Sequence, residues 1–170
     1  MRSQSSGLTD IFHQLGLVAE ISTTMMGFIA IFLVLSKSDG RFEDTDRHFI
    51  QALVLSSIMA IVLAVLPRAL GLFFSGDQLW GNALIIAFVL GIGVMMIIGW
   101  TQWRMHQVNN AQIHWVWHIP GWAFGVISGV LMVIGIFGGG EPAAYYLLAL
   151  YMVVAVALWC FIAVVFRRFF

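Results

Sequence analysis

The sequence predicts an all-α integral membrane bundle of five transmembrane helices, and three observations predict it. Hydrophobic residues make up 61% of the chain and charged residues 9%, against about 45–50% and about 25% in an average soluble protein. Five apolar stretches each reach the roughly 20 residues that a helix needs to cross bilayer hydrocarbon. Polar, glycine and proline residues gather in the breaks between them, where a chain leaving lipid turns in water. All of 1–170 reads as a single transmembrane domain, without internal repeat, low-complexity tract or soluble domain.

The first stretch, 11–36, follows "MRSQSSGLTD", which offers one Arg and no clear small-residue cleavage site. It is longer than a signal-peptide core and is expected to stay as a helix. "KSDGRFEDTD" then makes a turn, with Asp44 or Thr45 in position to cap the second stretch, 48–74. "SGDQ" is a tight polar turn before the third, 79–103. The longest polar connection, "QWRMHQVNNAQIHWVWH", is neutral and aromatic-rich, as expected of a segment at headgroup level, and Pro120 disfavours a helix through its last residues. The fourth stretch is 118–137. "GGGEP" ends it and puts Pro142 where a first helical turn tolerates proline, opening the fifth, 143–166.

Orientation follows from Lys and Arg, which are in excess on the cytoplasmic side. Lys37, Arg41, Arg47, Arg104, Arg167 and Arg168 fall on one side of this pattern, and Arg2, with Arg68 nearby, on the other. The N-terminus is therefore expected outside and the C-terminus in the cytoplasm of a bacterial inner membrane. Trp100, Trp103, Trp115, Trp117 and Trp122 would anchor one interface, and Trp80, Tyr145 and Tyr146 the other. The net charge is zero, so the basic footprint of a nucleic-acid binder is missing. The single cysteine, Cys160, supports neither a disulfide framework nor a cysteine-based zinc site.

Glu20 and Arg68 interrupt the first two stretches. An intramembrane charge costs about 2.5–3.5 kcal/mol on insertion scales and normally faces protein or water. The two lie at similar depth in the outer leaflet, and an antiparallel hairpin can bring them together. Helical steps from Glu20 reach Thr24, Gly27 and Ile31; steps back from Arg68 reach Ala64, Ala60 and Ser57. Small and hydroxyl side chains on both stripes suit close packing in lipid. Two readings compete: a structural ion pair fixing the hairpin, or an ion or proton path lined by Glu20, Thr23, Thr24 and Arg68. Pro67 removes a backbone donor, and the carbonyl it frees can bind a cation, a hydroxyl or water.

His114 and His118 have the spacing that puts two rings on one helical face, with His48 and His106 expected on the same side of the membrane. They could assemble a divalent metal site. Against this, histidine among tryptophans is at ease at an interface. All five histidines lie near span ends, which disfavours haem. Gly121, Gly125 and Gly129 make two small-xxx-small steps, a close-packing face within the chain or between subunits. Gly91, Gly93 and Gly99 are expected to serve packing. Asp39, Glu43, Asp44 and Asp46 alternate with Lys37, Arg41 and Arg47, as in a solvated turn. No nucleophile elbow or phosphate-cradling loop is present, so no catalytic residue and no cofactor is expected.

Taken together these features predict a homo-oligomeric protein that passes a small inorganic ion or protons, with Glu20 as the coordinating or titratable group. The alternatives are an accessory subunit that binds partner helices and a membrane metalloprotein using His114 and His118.

Overall fold

The computed structural model describes residues 2–36, 44–109 and 115–169. Among the described residues it is all-helical: α1 (Arg2–Ser36), α2 (Asp44–Leu70), α3 (Asp77–Asn109), α4 (Trp115–Phe137) and α5 (Pro142–Phe169). All five are long and apolar enough to cross a membrane, with spans Asp10–Ile31, Asp46–Leu70, Asp77–Met105, Trp117–Phe137 and Pro142–Phe166. This is a multi-pass membrane protein.

Helix ends follow local chemistry. Gly76 and Gly139, with φ of 59° and 67°, take the left-handed conformation that turns the chain between spans. Pro142 opens α5, and the Glu141 carbonyl accepts from Ala144 N–H at 3.0 Å. α4 differs from expectation: it is helical from Trp115, through "WVWHIP". Pro120 sits early in that helix, where its missing N–H affects little more than the first turn. α3 runs past residue 103 to Asn109, and α1 begins at Arg2.

α5 packs against all four other helices, and α2 packs against α1, α3 and α5. α1 and α4 lie at the periphery: α1 packs mainly on α2 and α5, with Phe12 reaching Trp80 of α3, and α4 mainly on α3 and α5, with His118 reaching His48 and Phe49 of α2. Two apolar clusters make the core. The one nearer the start of α1 joins Leu15 and Val18 to Leu63 of α2, Trp80 and Leu84 of α3, and Tyr146 of α5. The other joins Ile29, Phe49, Leu53, Ile98 and Cys160. Trp80 is therefore a core residue, 4% exposed and packed on Tyr146 and Phe12, and not an interfacial anchor.

Lipid removes the hydrophobic drive for helix association, so polar contacts between helices carry more of it. Tyr146 Oη donates to Leu63 O at 2.6 Å, Ser128 Oγ to Ala149 O at 2.9 Å, and Trp159 Nε1 to Trp117 O at 2.8 Å. Trp122 Nε1 donates to Gln102 Oε1 at 3.0 Å. The Tyr146 bond has a specific cause. Leu63 O would ordinarily accept from the N–H four residues on, but that residue is Pro67. The carbonyl freed by Pro67 is thus taken by a tyrosine hydroxyl.

Candidate functional site: the outer face of α1 and the α2–α4 histidine pair

The side of α1 that packs on its neighbours carries Leu15, Val18, Ser22 and Ile29, all buried. Glu20, Thr23, Thr24, Gly27 and Ile31 lie on the opposite side and are exposed. On α2, Ser57, Ala60 and Ala64 are buried as anticipated. On α1 the stripe that meets them is one of larger side chains, and a Cβ added to Gly27 would meet nothing within 4 Å. Gly27 is therefore not a packing glycine within the chain.

That choice of face separates the expected pair. Arg68 is exposed and its Nη2 donates to Phe12 O at 3.4 Å, two helical turns before Glu20. Among the described residues no ion pair joins Glu20 to Arg68. Glu20 stands ten residues, about 15 Å, beyond Asp10, close to the middle of its span. Thr23 Oγ1 donates to Ala19 O and Thr24 Oγ1 to Glu20 O, each at 2.8 Å. Their protons are thereby committed to backbone, and their lone pairs remain. With the carboxylate, this puts a cluster of acceptors on a face that otherwise exposes Leu17, Ile21, Phe28 and Ile31. Pro67 adds no cation site, since Tyr146 occupies the carbonyl it frees.

Two further hydroxyls, Ser22 Oγ of α1 and Ser57 Oγ of α2, are buried with no hydrogen-bond partner among the described residues. Ser56, beside Ser57, shows the usual solution, donating to Ala52 O at 2.6 Å.

Of the proposed metal ligands, His114 lies outside the described residues. His118 is buried and partners a different histidine, His48 of α2: their ring centroids are 5.4 Å apart, and His118 stacks on Phe49 at 4.8 Å. Thr101 Oγ1 lies 3.4 Å from His48 Nδ1 and itself donates to Ile98 O at 2.8 Å. A hydroxyl has one proton, so with that proton on Ile98 O the Thr101 oxygen can only accept, which suits the His48 tautomer protonated at Nδ1. Beside the pair is a cavity of about 30 Å³ lined by Trp122, Trp159 and Cys160 among others, large enough for a water molecule. Among the described residues no group of three or more His, Cys, Asp or Glu side chains is placed to hold a metal ion.

The glycines of α4 also part company. A Cβ on Gly121 would touch Trp159 at 3.8 Å, one on Gly125 would collide with Met95 Cε at 2.7 Å, and one on Gly129 would meet open space. They serve three surroundings and do not form one tight seam. The close α4–α5 approach is at Gly135 instead, where a Cβ would lie 2.8 Å from Tyr145 Cβ. Gly135 and Gly139 have the same four-residue spacing, but Gly139 lies beyond the end of α4, in the turn. Compared with protein-family models, with curated proteins and with solved structures, this chain finds no match.

Proposed function

We propose that this chain assembles in a bacterial inner membrane as a homo-oligomer through the outer face of α1, and that the assembled face passes protons or a small cation. One observation carries the reading: a carboxylate midway along a span, flanked by two threonines, that no helix of its own chain covers. Leaving such a group against acyl chains costs about 2.5–3.5 kcal/mol or more, so protein or water from outside the chain supports it. A second copy supplies both, because symmetry-related α1 helices bring identical acceptor faces around a shared axis.

In that assembly Glu20 takes up and releases the proton or coordinates the cation. Thr23 and Thr24 contribute oxygen ligands without competing donors, since their hydroxyl protons point into their own backbone. Arg68, held toward one end of the face by Phe12 O, sets a fixed positive charge that screens entering ions. The Lys and Arg distribution supports an external N-terminus and a cytoplasmic C-terminus.

The test is flux into liposomes driven by a proton or alkali-cation gradient, paired with subunit counting in lipid. Wild-type protein is expected to be oligomeric and to conduct, and Glu20→Gln to lose most of the flux while keeping its subunit number. Wild-type flux no greater than that of empty vesicles removes conduction. A single copy per assembly removes the pathway altogether.

A further inference from the structure

Between α3 and α4 the bundle is open. A groove of about 730 Å³ runs along this seam, floored by α2 and α5, and falls within the range of about 300–1,000 Å³ typical of ligand sites. It exists because glycines face each other across it. Gly91 on α3 and Gly129 on α4 both look into open space, where any larger side chain would close the gap.

The walls contain almost nothing polar that is unspent. Ser56 and Ser128 line the groove, yet each donates its hydroxyl proton to a backbone carbonyl, Ala52 O and Ala149 O. Trp122 also lines it, and its indole N–H is held by Gln102. A guest therefore has to be hydrocarbon along this length. The seam lies inside the membrane spans, so its mouth faces acyl chains.

The groove also has a charged end. Ile92, Met96 and Trp100 line it at successive turns of α3, and one more turn along the same stripe is Arg104. Arg104 is exposed, stands at the edge of the span and makes no ion pair among the described residues. A long apolar slot ending at a lone guanidinium beside exposed Trp100 and Trp103 matches an acyl chain attached to a phosphate.

We propose that the α3–α4 groove is a binding site for one anionic phospholipid, its acyl chain lying between Gly91 and Gly129 and its phosphate on Arg104. The site is separate from the outer face of α1, since its lining comes from α2, α3, α4 and α5.

Native mass spectrometry of the full chain in non-ionic detergent, titrated separately with phosphatidylglycerol and with phosphatidylcholine of the same chains, tests this. One phosphatidylglycerol per chain is expected to bind about fivefold more tightly than phosphatidylcholine, the size of one basic side chain at an anionic headgroup. Arg104→Gln should bring the two lipids level. Gly129→Leu should weaken both by about tenfold or more, because the leucine occupies the slot. Gly91→Leu does the same from the opposite wall if Gly129→Leu does not fold. Equal affinity of the wild type for the two lipids overturns the headgroup assignment. Undiminished binding in a folded groove-filling variant overturns the site.

Discussion

Replacing Tyr146 with Phe deletes a single oxygen atom, and the structure says what that oxygen does. It donates at 2.6 Å to the carbonyl that Pro67 leaves without its helical partner, between two residues that are both buried. An unsatisfied buried carbonyl costs about 1–3 kcal/mol. Side-chain bonds in membrane helices average about 0.6 kcal/mol with a maximum near 1.7. The expected loss for Tyr146→Phe is accordingly about 1–2 kcal/mol. In a Pro67→Ala background the new alanine N–H reaches Leu63 O along the helix, and the same Tyr146→Phe change should cost less than about half as much. The cycle cancels the cavity that Pro67→Ala itself creates, which is why four proteins are measured and not two. SDS titration of the micelle-bound protein gives the four stabilities, with the loss of helical circular dichroism as the probe. Equal losses in both backgrounds would refute the link between proline and tyrosine.

Other outcomes follow from the same geometry. Ser22→Ala and Ser57→Ala, removing hydroxyls that have no partner, should leave stability within about 0.5 kcal/mol of wild type or raise it, whereas Ser128→Ala should lose about 1 kcal/mol with its bond to Ala149 O. The same SDS titration checks all three, and a larger loss for Ser57→Ala than for Ser128→Ala would show that the orphan hydroxyl has a partner. Gly135→Ala forces a Cβ against Tyr145 and Leu84 at 2.8 and 2.9 Å and should cost about 1–3 kcal/mol, while Gly27→Ala, facing open space, should leave the single chain's stability unchanged or better. Thermal unfolding under monomeric conditions distinguishes the two.

The five helices were legible because their signal is one of length: an apolar run long enough to span, ended by charges or by glycine and proline, has few other uses. The separation of Glu20 from Arg68 was not legible. A helix that is apolar all round offers several stripes, and its contact face is settled by side-chain fit along the whole hairpin. Here the buried stripe is Leu15, Val18, Ser22 and Ile29, and Glu20 lies on the opposite side of the helix. The meeting of His48 with His118 was hidden for another reason. It depends on α2 and α4 both lining α5's far end, a tertiary fact with no local spacing. Gly135 was missed because its partner at the four-residue spacing, Gly139, falls in the turn past α4, whereas Gly121, Gly125 and Gly129 gave a longer motif that the fold does not use as a single seam.

The central position of α5 bears on how the bundle is made. A ribosome delivers α1 to α4 to the bilayer before the helix that touches all of them, so the early segments wait as loosely associated hairpins. Throughout that interval the gap in α2 at Pro67 is open to whatever the nascent chain can recruit. Only the fifth segment brings the hydroxyl of Tyr146 that closes it.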